Sequence, residues 1–161
     1  MLKMKGIYIR RVFALANLFF VSLGAWIFGY GLAGWRRGFR PPVSSAPFAL
    51  YFYIVDAIFI AAIFSALVYS AARLLRGSAL AAQTARLVYI FELLYIFVSV
   101  CVVPVVQVRL PQAWRPWSIM AGSAGLVSLW PQVLTAYPLI GAIVMTLLIR
   151  RDQRQLAVGA G

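Results

Sequence analysis

Residues 87–108 read LVYIFELLYIFVSVCVVPVVQV, and Glu92 is the one formally charged side chain among them. A helix of about 20 such residues spans a hydrocarbon core of about 30 Å. A helix lying on a soluble protein would repeat polar residues along one face. This run does not, so its natural solvent is lipid. A carboxylic acid in that setting is costly, by about a few kcal/mol, and normally has a functional or pairing reason for being there.

Three further runs share this character, at residues 12–35, 48–72 and 126–149. The composition agrees: 64% of residues are hydrophobic and 11% charged, against roughly half and one quarter in soluble domains. No linker divides the 161 residues. The expected fold is therefore all-α, an integral membrane four-helix bundle forming a single membrane domain over residues 1–161.

Basic residues orient it. Lys3, Lys5, Arg10 and Arg11 precede the first run, Arg73, Arg76 and Arg86 separate the second and third, and Arg150, Arg151 and Arg154 follow the fourth. The opposite connections hold half as many: Arg36, Arg37, Arg40, Arg109 and Arg115. The positive-inside rule places both termini in the cytoplasm, as expected of a multi-pass protein of the bacterial inner membrane. The first run also has a basic start and a Gly31-Leu32-Ala33 stretch suggestive of signal cleavage. Its length and its bulky Phe19, Phe20, Trp26 and Phe28 favour retention as a span.

The connections differ. Residues 36–47 contain Pro41-Pro42 and suit an extended outer loop. Residues 73–86 suit a short basic turn on the inner side. In residues 109–125, Trp114 and Trp117 stand beside Arg109 and Arg115. That mixture anchors a segment in the headgroup zone, so a Trp-rich interfacial segment is expected before the fourth helix.

Composition also narrows the function. The net charge of +12 lies in the gaps between apolar runs, and no nucleic-acid-reading motif accompanies it, so nucleic acid is not an expected partner. There is no histidine and one cysteine, Cys101. Histidine-held haem, most zinc and copper sites and an intramolecular disulfide are thereby excluded, and neither a cofactor nor a metal is expected. A serine nucleophile would lack its histidine or lysine base, Asp56 has no second aspartate in another span, and no glycine-rich phosphate loop is present. Enzymatic activity is accordingly the least supported class.

What remains lies inside the spans. Ala25 and Gly29, four residues apart, offer a small-residue patch for helix packing. Tyr89, Tyr95 and Ser99 fall within about 60° of Glu92 on the third helix, where their hydroxyls are placed to satisfy it. Asp56 has Tyr53 one turn before it. Span boundaries at the flanking charges put the two acids about 10 Å apart in depth, too far for a shared proton. Two functions are consistent with these features. One is a non-enzymatic subunit or accessory protein of a membrane complex, working by helix contacts with itself or other membrane subunits. The other is a small oligomeric transporter or channel coupled to protons or cations through Glu92, with Asp56 as a second step. The lipid bilayer is a partner in both.

Overall fold

The computed structural model describes residues 2–36, 49–78, 80–109 and 130–158, and outside one tight turn all of them are helical. Helix α1 covers Leu2–Arg36, α2 Ala49–Arg76, α3 Ala81–Phe97, α4 Val103–Arg109 and α5 Trp130–Val158. A π-helical segment, Val98–Val102, joins α3 to α4, so the described residues form four continuous helices. Three of them are long and apolar enough to cross a membrane, over Gly6–Trp26, Ile54–Arg76 and Ala81–Val102.

The helices extend further toward the basic residues than the apolar runs suggest. α2 continues through Arg76 and α3 begins at Ala81, which reduces the 73–86 connection to a turn. Arginine is a good helix former and its long stem lets the head leave the apolar zone, so Arg73, Arg76 and Arg86 need no loop. Glycine ends α2 instead. Gly77 adopts φ 68°, which costs little without a Cβ. The amides of Gly77 and Ser78 then donate to the carbonyls of Leu74 and Arg73, each at 3.3 Å, a Schellman closure. Arg73 secures the turn from above: its guanidinium donates to Ser78 Oγ at 3.1 Å and Thr84 Oγ1 at 3.2 Å, and lies 5.7 Å from the centre of the Tyr69 ring.

The π-helical segment has a local cause. Pro104 has no amide hydrogen, so the ordinary bond back to the carbonyl four residues earlier cannot form there. One residue before it, the Val103 amide bonds to the Val98 carbonyl, five residues back. The wide turn thus absorbs the missing donor without ending the helix.

Neighbouring helices run in alternating directions. On α1 and α2, Asn17 meets Ser70 and Gly24 meets Phe64. On α2 and α3, Asp56 meets Tyr95 and Phe59 meets Phe91. Tyr89 of α3 lies against Gly141 of α5. Phe20 and Tyr137, with ring centres 4.1 Å apart, together with the Arg10–Asp152 ion pair, link α5 back to α1. The start of α1, the α2–α3 turn and the end of α5 therefore share one end.

The core sits toward that end and is built largely of small residues. Ala14, Ala71, Ala81, Ala82 and Ala85 are buried with Leu67, Leu74, Tyr89, Met145 and Leu148. Large apolar side chains such as Leu15, Ile58, Leu87 and Ile143 point outward. Small inside and large outside suits helices packed in lipid, where close backbone approach replaces the hydrophobic drive available in water.

Gly141 tests that packing. A Cβ there would lie 2.6 Å from the Tyr89 ring, which is fully buried and cannot step aside. Gly141→Ala is expected to destabilise the protein by about 1–3 kcal/mol, read as earlier unfolding in an SDS titration. Gly6→Ala, with nothing within 4 Å of the new methyl, is the neutral comparison. Equal unfolding midpoints for the two variants would contradict the close α3–α5 contact.

Candidate functional site

Asn17 is the chain's one asparagine and is fully buried. It is the hub of a hydrogen-bonded cluster to which each of the four helices contributes. Its amide nitrogen donates to Ser70 Oγ of α2 at 2.8 Å, and Ser70 passes its own proton to the Leu67 carbonyl at 2.9 Å. Its carbonyl oxygen accepts from Tyr89 of α3 at 2.8 Å and from Tyr137 of α5. Two phenol donors at one end of the amide and a hydroxyl acceptor at the other fix its orientation.

Aromatic rings enclose the hub. Phe13 lies 6.3 Å from Tyr89 and 6.4 Å from Tyr137, ring centre to ring centre, and Phe20 covers the other side of Tyr137. The two tyrosine hydroxyls are 3.4 Å apart, and the Phe13 carbonyl is 3.5 Å from that of Tyr137. A fully satisfied network in low-dielectric surroundings is rigid and favours one arrangement of its helices.

Glu92 follows Tyr89 by three residues on α3. It is half-buried, and its Oε2 is buried with no hydrogen-bond partner among the described residues. The phenols expected to serve it are directed elsewhere: Tyr89 to Asn17, and Tyr95 to Asp56 Oδ1 at 2.6 Å. The sharing of a helix face misled here because a tyrosine hydroxyl reaches past its own helix to the next one. Glu92 still lies within electrostatic range of Tyr89 and Tyr137. Of the basic side chains toward the inner end, Arg73 is held in the turn, while Arg11 and Arg150 are exposed.

Asp56 is half-buried and bonded to Tyr95, with buried Ser99 one turn further on, in the π-helical segment that follows α3. This pairing corrects the separation of the two acids. Asp56 lies opposite Tyr95, only three residues beyond Glu92, so the depths differ by about 4.5 Å. The larger sequence-based figure assumed that each helix begins at its flanking charges, and α3 begins six residues earlier.

The remaining sequence candidates are placed as follows. Ala25 is exposed, and its neighbour Gly24 is the residue in contact with α2, where a Cβ would meet Phe64 at 2.4 Å. Arg109 is exposed at the end of α4. Trp114, Arg115 and Trp117 lie outside the described residues, as do the side chain of Tyr53 and the surroundings of Gly29. Sequence reasoning missed Asn17, Ser70 and Tyr137. For Asn17 a signal existed, since a lone carboxamide in an apolar run needs partners as a lone acid does.

The Tyr95–Asp56 bond should be measurable by itself. Tyr95→Phe is expected to lower stability by about 1 kcal/mol, between the small average for polar contacts in membrane helices and the larger values for charge-assisted bonds. In a double-mutant cycle the effect should vanish on an Asp56→Ala background. An additive cycle would show that the bond contributes nothing.

Compared with known protein families, with curated proteins and with solved structures, the chain shows no match.

Proposed function

We propose that this chain is an integral membrane four-helix bundle, both termini cytoplasmic, that handles protons or small cations through Glu92. The membrane assignment is supported by the three long apolar helices, to which the apolar part of α5 adds a fourth. The orientation is supported by the end that α1, the α2–α3 turn and α5 share, which carries most of the basic residues. The bacterial inner membrane fits that arrangement.

The observation that carries the functional reading is the unpartnered Oε2 of Glu92 beside the Asn17 hub. A carboxylate kept for structure alone would be paired, as Asp56 is by Tyr95. A carboxylate reserved for a neighbouring subunit would face outward, whereas this oxygen is buried within the chain. An interior acid left without a partner suits a group that must take up and release a proton or cation. The test is flux into liposomes under imposed proton, sodium or potassium gradients. Wild type should dissipate one of them, and Glu92→Gln should not. Absence of wild-type flux under all three gradients rejects the reading.

A second reading, a non-enzymatic subunit acting by helix contacts, is favoured by the exposure of Ala25. With Gly24 already against Phe64, a small-residue face on α1 stays open to another helix. Ala25→Leu should then abolish an oligomer or a co-purifying complex in mild detergent. A monomer purified alone in several detergents would remove this reading.

A further inference from the structure

The basic end of the helices holds two arginine nitrogens with no acceptor. The Nε atoms of Arg10 and Arg86 are buried and lack hydrogen-bond partners among the described residues. Arg10 uses a terminal nitrogen on Asp152, and among the described residues no acid pairs with Arg86. Buried donors of this kind are normally satisfied, and guanidinium groups most of all, since burial without an acceptor sacrifices a charge-assisted bond.

The two arginines stand in register. α1 and α3 run the same way, and the Phe13 and Tyr89 rings meet between them. Arg10 precedes Phe13 by three residues and Arg86 precedes Tyr89 by three, so each is about one helical turn nearer the basic end than that contact. Exposed Arg11, Arg76, Arg150 and Arg154 lie toward the same end, where Asp152 is the chain's one acid. The positive excess and the two missing acceptors describe an oxygen-rich anion.

The flanks of the two arginines identify its source. Ile7, one turn before Arg10, and Ile90, one turn after Arg86, share their faces and are large apolar side chains exposed on the outside of the helices. Acyl chains would cover them, and a free phosphate would not. We propose that Arg86, together with Arg10, binds the phosphate headgroup of an anionic lipid at the basic end. Arg86 supplies the buried Nε and a fork for the phosphate oxygens. Arg10 adds its own Nε while Asp152 holds its head in place. The site depends on the membrane reading but not on any role for Glu92.

The experiment uses the full chain in a neutral detergent, with thermal unfolding and native mass spectrometry as readouts. Phosphatidylglycerol, phosphatidylcholine and glycerol phosphate are added separately. Wild type should be stabilised and retained as a complex by phosphatidylglycerol alone. Arg86→Gln should bind it about tenfold more weakly, the loss expected for a charge-assisted bond, and Arg86→Lys should fall between. The Lys variant carries the test should the Gln variant not fold. Arg154→Gln, altering an exposed arginine at the same end, should bind as wild type does. Glu92→Gln should also bind normally, which separates this site from the transport reading. Equal loss in the Arg154 and Arg86 variants would indicate diffuse surface attraction and overturn the site. So would unchanged binding by both Arg86 variants, or equal stabilisation by glycerol phosphate.

Discussion

Asn17→Leu should destabilise the protein by about 2–4 kcal/mol, the largest loss expected from any single side chain in the cluster. The two side chains share the same four-atom branched shape, so the substitution opens no cavity. The substitution takes a bond from three groups at once: the Tyr89 and Tyr137 hydroxyls lose their acceptor, and Ser70 loses its donor while keeping its own bond to the Leu67 carbonyl. A buried polar group left without a partner costs about 1–3 kcal/mol. Polar contacts between membrane helices average only about 0.6 kcal/mol, because the denatured chain in detergent also finds partners. Three groups at that average set a floor of about 2 kcal/mol, and the bond that Ser70 keeps to the Leu67 carbonyl holds the upper end at about 4 kcal/mol, well below the full stranding cost. The mechanism makes a second, sharper prediction. Removing the two phenol hydroxyls as well, in Asn17→Leu/Tyr89→Phe/Tyr137→Phe, should restore most of the loss, because Ser70 keeps its bond to the Leu67 carbonyl and replacing the amide and both phenols together by apolar groups is close to neutral. SDS unfolding midpoints of the single and triple variants decide the matter. If the triple variant is less stable than Asn17→Leu, the cluster works by packing and not by hydrogen bonding.

The helices were legible in the sequence because lipid imposes one simple requirement, a long run with its backbone bonded internally. Residues 87–108 meet that requirement so fully that little else fits. The ends of the helices were less legible. Arginines at 73, 76 and 86 look like loop residues by charge, yet they continue the helix, and only Gly77 with its positive φ stops it. The cluster was legible in part. Glu92 and Asp56 stood out as charges, and Tyr89 and Tyr95 were picked as hydroxyl donors, but to Glu92 and from the same helix. Helical periodicity says which residues share a face. It does not say which helix that face meets, and here the partners came from α1, α2 and α5. Tyr137 had no sequence signal, being one of eight tyrosines, and only the approach of α5 to Tyr89 and Phe20 gives it a role.

Glu92→Gln should separate function from stability. A carboxyl oxygen buried without a partner makes folding less favourable, and the amide is neutral and almost the same shape. The variant should therefore be at least as stable as wild type, and Glu92→Leu more stable by about 1–2 kcal/mol, because it removes the polar group entirely. Under the transport reading, both variants should lose flux by an order of magnitude or more, since neither can exchange a proton or hold a cation. Gain of stability with loss of activity is the signature of a residue kept at a functional site at the expense of the fold. A purely structural acid gives the opposite pattern. Loss of a hidden partner would make both variants unfold earlier, and flux would fall only in proportion to the folded fraction. Asp56→Asn serves as the internal contrast: its carboxyl accepts from Tyr95, so the amide should weaken that bond and lower stability by about 1 kcal/mol. Measured side by side in the same detergent, the two acids should move the unfolding midpoint in opposite directions. Movement in the same direction would mean that Glu92 is held as Asp56 is, and the case for transport through it would fall.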